Sequence, residues 1–365
     1  MHKFHFILSK QPDPALEESA IIQRLKEFYT ALQDKRQIED GLPDEGRAAH
    51  SDVWHHHRNE IPKALQIRIR RWAQKIHRHH LKDVEPTRLS REDRVMLEGC
   101  RNGAELVELR SAHHIDEIAA ALHAEFPWLA EATTHVWRSL HQNRASGRLG
   151  ARFAPVLLDG APGIGKSAWG RRLAQLLETP DMIMDATGEN ASFGLIGSQR
   201  GWAKAGPGRL ISLMLMRQIA NPLALIDEIE KSGTPVSNTD KAFSLPNALL
   251  PLLEDLTASR WSCPYFQHQF DMSCVNWVFT CNSLRGLPEP FLSRVRVISV
   301  PSPTQDQINE LVLREATKRL LAPSITAAIT TALAEAFDAG HQINIRNVKR
   351  MLDLGSEQQA RPMLH

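Results

Sequence analysis

The stretch that most narrows what this chain can become runs from Gly160 to Ser167, GAPGIGKS, preceded by PVLLD and followed by AWGRRLAQLLE. An apolar run, a glycine-rich loop and an amphipathic stretch read as strand, turn and helix, the setting in which G-x-x-x-x-G-K-[ST] carries meaning. Gly160, Gly163 and Gly165, with Pro162 in the same loop, let the backbone curl so that successive N–H groups converge on phosphate oxygens. The helix start adds its positive dipole end. Lys166 is expected to neutralise β- and γ-phosphates and Ser167 to place its hydroxyl on Mg²⁺.

A loop of this kind needs a sheet behind it, and residues 106–301 alternate short apolar runs with helical stretches. PVLLD (155–159), MIMDA (182–186), LALID (223–227), NWVFTC (276–281) and VRVISV (295–300) read as five strands of a parallel sheet covered by helices, an α/β fold. Beyond Pro301 the strand signals stop and Pro-bounded, alanine-rich helical segments follow, as in a small α-helical lid spanning 302–365. Residues 1–105 are polar, rich in His and Arg and helical in period. Ser90 with Asp93 suits a helix start there.

The second chemical signal lies 61 residues past Lys166, in NPLALIDEIEK. Asp227 and Glu228 end a buried strand, and ligands of open α/β sheets bind outside the carboxyl ends of strands. Asp227 is expected to hold Mg²⁺, directly or through water, and Glu228 to polarise an attacking water. Together with the phosphate loop this pair implies nucleoside triphosphate hydrolysis.

With those residues in place the chain resembles the AAA+ ATPases, and among them the ATPase module of Lon, over about residues 110–355. The resemblance also rests on PNALLPLLEDL, FDMSCVNWVFTCNSL, LPEPFLSRVRVISV and AGHQINIRNVKRML, which follow DEIEK in the same order. It implies a P-loop core with Walker A and Walker B motifs and a helical lid. The activity implied is Mg²⁺-dependent ATP hydrolysis by a hexameric ring that unfolds or translocates protein through a central pore. By the same resemblance Asn282 orients the attacking water, and Arg294 acts as the arginine finger toward the neighbouring subunit. Arg346 contacts nucleotide from the lid. Arg296, two residues beyond Arg294, is an alternative finger. Trp202 in SQRGWAKAGPGR stands where such modules carry a pore-loop aromatic ahead of P-G-R, here followed by Ala203 in place of a bulky aliphatic residue. An aromatic ring can grip extended polypeptide of any sequence, and flanking glycines would let it move. Trp261 belongs either to a second pore loop or to the core.

Lon proteases carry a Ser-Lys proteolytic domain after the lid. This sequence ends nineteen residues past Arg346, so the expectation is an ATPase without its own protease, working alone or beside a separate peptidase. The four cysteines form no C-x-x-C pair, and MHKFHFILSK lacks the continuous apolar stretch of a signal peptide. With no apolar run long enough to span a membrane, a cytoplasmic protein is expected.

Charge is uneven. Between Ile61 and Lys82 there are seven Lys and Arg residues and no acid, which more than accounts for the net charge of +2. The helix expected from Pro62 carries apolar residues at 61, 65, 69, 72 and 76, a stripe to be buried. Its basic face could meet nucleic acid, an acidic partner or a membrane surface. That leaves a nucleic-acid-directed AAA+ factor, a loader or helicase-like protein, as the alternative. The histidines at 55–57 and 77–80 diverge around a helix without a completing acid or cysteine, and read as solvated faces.

Overall fold

The computed structural model describes residues 3–8, 13–39, 61–84, 89–188, 191–201, 205–232 and 244–360. They form two compact units, one of Ser9–Arg91 and one of Met1–Leu8 with Glu92–His365.

The smaller unit is a helical pair, α1 (Glu18–Glu39) and α2 (Lys63–Val84). A short turn at Pro14–Leu16 precedes α1, and two histidines of the 77–80 cluster hold it. His80 Nε2 accepts the Asp13 N–H at 2.9 Å, and His77 Nδ1 lies 2.9 Å from the Leu16 carbonyl oxygen. These rings therefore cap backbone. The 55–57 histidines lie outside the described residues. The apolar stripe of α2 differs from the expectation: Ile69 and Ala73 are buried, whereas Trp72 is 50% and Ile76 44% exposed. A stripe reading counts Trp as core, but here small Ala73 lets the helices approach. The indole stays outside with the Arg68 guanidinium 5.3 Å from its ring centre.

The larger unit is built on five parallel strands: β1 (Val156–Gly160), β2 (Asp181–Asp185), β3 (Leu223–Asp227), β4 (Asn276–Cys281) and β5 (Arg296–Val300). Their order is β2-β3-β4-β1-β5. All five coincide with the expected runs to within a residue; the central β1, β3 and β4 are continuous apolar runs because strands covered on both faces require them, while the edge strands β2 and β5 keep exposed positions. Every residue of β4 is buried, and Trp277 and Phe279, on one face of it, stack at 5.8 Å. Two buried asparagines tie down the strands' N-terminal ends. Asn276 accepts the Phe153 N–H at 3.0 Å and donates to the Ala151 carbonyl, while Asn221 accepts the Val107 N–H at 2.8 Å.

In chain order the larger unit's main helices are α3 (Arg91–Gly99), α4 (Ala112–Glu125), α5 (Ala130–Ala145), α6 (Lys166–Leu176), α7 (Ala191–Ile196), α8 (Arg209–Arg217) and α9 (Leu245–Leu253). Ser111 caps α4. Helix α6 presents Trp169, Leu173 and Ala174 to the core at helical spacing, and the Trp169 indole N–H donates to Thr133 at 3.0 Å. The N-terminal residues also join this unit, since Lys3–Phe4 pairs antiparallel with Ala104–Glu105.

Three helices close the chain: α10 (Gln305–Lys318), α11 (Pro323–Asp338) and α12 (Ile345–Ala360). Thr304 and Gln307 form a reciprocal capping box on α10, and Pro323 opens α11. Their apolar faces meet around Ile308, Val312, Ile329, Val348 and Leu352. Among the described residues no helix is long and apolar enough to cross a membrane.

Candidate nucleotide site

The C-terminal ends of β1, β3 and β4 converge under α12, enclosing a cleft of about 500 Å³. Pro162, Gly163, Gly165, Lys166 and Ser167 line one wall; Asp227, Glu228 and Asn282 line another; Arg346 lines the lid side. Gly160 ends β1. One cleft thus receives nearly all the cofactor-binding and catalytic residues expected from sequence.

The loop does what its glycines allow. Gly163 has φ +77° and Gly165 has φ +94°, both in the left-handed region. Gly163 is further constrained, because a Cβ there would lie 2.1 Å from the Asn344 side chain. Helix α6 then begins with no side-chain cap on its free N–H groups. That is the arrangement an anion fills. Lys166 is 6% exposed and donates to the Gly160 and Ala161 carbonyls at 2.7 and 2.9 Å and to Asn282 Oδ1 at 3.0 Å. Burial holds its pKa below the ordinary lysine value, and nearby anionic groups, Asp227 among them, oppose that shift.

Asn282 is the hinge of a short chain of contacts. Its Oδ1 accepts from Lys166, its Nδ2 donates to Glu228 Oε1 at 3.3 Å, and Lys231 pairs with Glu228 Oε2 at 2.8 Å. Glu228 itself has φ 54° and ψ 47°, a left-handed conformation for a residue with a side chain. Such a conformation costs on the order of 1–3 kcal/mol and persists where its surroundings enforce it. Here the Glu228 N–H donates to Thr280 Oγ1 at 3.1 Å, and the same hydroxyl donates to Asp227 Oδ1.

The oxygens of Ser167 and Asp227 suit Mg²⁺, a hard cation that prefers oxygen donors and keeps several waters. The Ser167 hydroxyl lies 2.8 Å from both Asp227 carboxylate oxygens, so the two side chains already face one point. No cluster of three or more His, Cys, Asp or Glu side chains suited to a metal occurs among the described residues. A magnesium ion arriving with a triphosphate does not need one.

The remaining expected residues lie elsewhere. Arg294 does not line the cleft; it donates to the Pro290 carbonyl at 2.8 Å and pairs with Glu254 at 3.4 Å. Arg296 opens β5 and approaches Glu131 at 3.8 Å. Trp202 lies outside the described residues, but the stem of its loop is defined. Gly197 bridges Pro207, and Ser198 N–H donates to the Gly206 carbonyl at 3.1 Å. Gly208 passes so close to the preceding helix that a Cβ would meet the Leu195 carbonyl oxygen at 2.1 Å. Arg200, at the stem, pairs with buried Asp93 at 2.9 Å and stacks over Tyr265. Trp261 is 7% exposed in a two-residue strand, which makes it core.

Several cleft residues escaped the sequence reading. Thr280 stands two residues before Asn282, an extended spacing that sends both side chains to the same side of the chain where it leaves β4. Phe126 and Trp128, with the Trp128 indole donating to the Ile164 carbonyl at 2.8 Å, form an apolar wall beside the loop. Arg314, Lys318 and Lys349 add positive charge from the lid. Arg314 also donates to the Ala124 and Glu125 carbonyls at 2.6 and 2.9 Å.

Residues 156–302 match the model of the ATPase family associated with various cellular activities (AAA). The chain carries an AAA domain. The match begins at β1 and ends just beyond β5, so it spans the whole sheet. Over 169 residues the chain is 32% identical to Lon protease from Halothermothrix orenii, covering 46% of this chain and 21% of that protein. Over 238 residues it is 26% identical to the mitochondrial Lon protease homolog of Yarrowia lipolytica, covering 64% of this chain and 20% of that protein. The chain therefore spans about a fifth of the length of these relatives. A solved structure of Hsp104 with ATPγS and FITC casein in a closed state superposes with a TM-score of 0.48 at 17% identity, over 62% of this chain and 42% of that one.

Proposed function

We propose that this AAA domain hydrolyses ATP with Mg²⁺ in a hexameric ring of identical chains, and that the ring remodels or translocates protein through a central pore. The observation that carries the reading is the linkage of Lys166, Asn282 and Glu228 in one cleft beside the facing oxygens of Ser167 and Asp227.

In the proposed reaction the uncapped N-terminus of α6 and Lys166 hold the phosphates, and Arg346 meets them from the lid. Magnesium, held by Ser167 and Asp227 with the phosphates, would offset negative charge on the β- and γ-oxygens. Glu228 accepts the proton of the attacking water, and Asn282, hydrogen-bonded to the same carboxylate, orients that water. Arg294 lies outside the lining of its own chain's cleft, which suits service to a neighbour's γ-phosphate. The Trp202 loop would carry the motion to substrate, its stem pinned on both sides. The protein-directed reading is favoured by the Lon relatives, and it leaves room for a separate peptidase. A nucleic-acid-directed reading is favoured by one observation, the basic helix α2 with exposed Trp72 beside Arg68. Such binding would weaken steeply with salt.

The deciding experiment measures ATP binding and hydrolysis in parallel. Lys166→Ala is expected to lose nucleotide binding. Glu228→Gln is expected to bind ATP normally and to lose at least about a hundredfold in kcat, as for removal of a general base. Hydrolysis at the wild-type rate by the Gln variant would overturn the assignment.

A further inference from the structure

We propose that Thr280 is a positioning residue for hydrolysis, setting the geometry of the base Glu228 through its backbone; the inference rests on the ATPase reading above. The general base stands on a left-handed backbone, φ 54° and ψ 47°, which an L-residue adopts only under constraint. The constraint comes from the adjacent strand. Thr280 Oγ1 accepts the Glu228 N–H at 3.1 Å, and its own proton goes to Asp227 Oδ1.

One hydroxyl thus does two jobs with one proton and one lone pair. It holds the peptide joining Asp227 to Glu228 in the turn that aims the Glu228 carboxylate at Asn282, and it leaves Asp227 Oδ2 free of that contact. The backbone amide can only donate to Thr280 Oγ1, so the hydroxyl acts there as an acceptor and its own proton is left for the Asp227 carboxylate. Thr280 is 1% exposed, so water does not readily replace it. Its γ-methyl keeps the β-branched shape that suits β4. Serine would retain the hydrogen bonds, and valine the shape. Those two substitutions therefore separate hydrogen bonding from packing.

The consequence is a defect in turnover without one in binding. The Thr280 hydroxyl bonds to Glu228 and Asp227 and not to the phosphate loop, so a Thr280→Val chain keeps Lys166, Ser167 and the uncapped start of α6. Its Glu228 loses the amide contact and relaxes away from the water it must activate. A displacement of roughly an ångström at a catalytic group costs about a hundredfold in rate.

The test is steady-state ATP hydrolysis by the full chain at several Mg²⁺ concentrations, with binding of a fluorescent ATP analogue measured alongside. Thr280→Val is expected to lower kcat by about ten- to a hundredfold while KM stays within about twofold, with no recovery at high Mg²⁺. Thr280→Ser is expected to recover most of the lost rate. Wild-type kcat in Thr280→Val, equal losses in the Val and Ser variants, or recovery at saturating Mg²⁺ would each overturn the proposal. The last outcome would mean that the hydroxyl serves Asp227 and its cation. If Thr280→Val fails to bind the analogue, Thr280→Ala carries the same expectation. Glu228→Gln, run in parallel, separates the two levels. Normal hydrolysis by that variant removes the ATPase assignment itself, whereas its failure beside an unaffected Thr280→Val removes only the role of Thr280.

Discussion

Cys281 shows how closely single side chains in this domain are governed by burial. It sits at the end of β4, next to Asn282, where exclusion of water and the neighbouring Asp159 carboxylate push its thiol up to about 12. Cys100, Cys263 and Cys274 are likewise buried and pushed up to about 11. A thiol with a raised pKa keeps its proton in the folded chain while the same thiol in the unfolded chain ionises near 9.0, so unfolding releases protons. The sign follows: these cysteines lower stability as pH climbs from about 9 toward 11 and have no such effect below pH 8. At pH 8 the native chain is expected to resist a thiol-specific chromogenic reagent, and all four cysteines to react in denaturant. Rapid labelling of the native protein would contradict their burial.

At the scale of elements, the contact that matters is between the phosphate loop and the N-terminus of α12. Asn344 donates to the Pro162 carbonyl at 3.2 Å, and the Ile345 N–H donates to the Gly163 carbonyl at 3.1 Å. The lid therefore reads the loop's backbone directly, two residues before Arg346. Gly163 has no room for a side chain, both because of its positive φ and because Asn344 occupies the space. Gly163→Ala is expected to destabilise the chain by about 1–3 kcal/mol, the cost of a strained backbone conformation. It should also weaken ATP binding by forcing α12 off the loop. Denaturant unfolding and analogue titration check the two effects, and an Ala variant with wild-type affinity and stability would refute the close approach.

For the whole molecule, the position of Arg294 decides what activity should depend on. Its guanidinium lies outside the chain's own cleft, held by Glu254 and the Pro290 carbonyl. If it completes a neighbour's site, hydrolysis requires assembly. Arg294→Ala and Glu228→Gln chains, each expected to be inactive alone, should then regain activity on mixing, because an intact base can face an intact finger at a mixed seam. Wild-type turnover should also rise more steeply than protein concentration below the assembly threshold. Strictly proportional turnover, with no rescue on mixing, would place the whole reaction within one chain.

Much of the site was legible in the sequence because its chemistry is local. GAPGIGKS writes its own turn: glycines at 163 and 165 supply the positive φ values, and the apolar run before it and the amphipathic stretch after it read as strand and helix. Asp227 and Glu228 were legible because they close an apolar run that a buried strand explains, and Asn282 through the resemblance to Lon ATPase modules at the end of NWVFTC. Thr280 and Asn344 were not, since their importance lies in contacts across 52 or more positions of the chain. The stripe on α2 failed for a related reason. Periodicity says which residues share a face but not which part of that face a neighbour covers, and Ala73 rather than Trp72 won the contact.

By itself, then, the sequence determined the sheet, the phosphate loop and the identity of the acidic and polar groups beyond it, because these follow from short-range sterics and from which strands must be buried. Only the tertiary structure decided that Glu228 stands on a left-handed backbone beside the Thr280 hydroxyl, that the lid grips the loop at Gly163, and that Arg294 lies outside its own cleft. Those outcomes depend on distances between residues far apart in the chain, which packing and long-range hydrogen bonds set together.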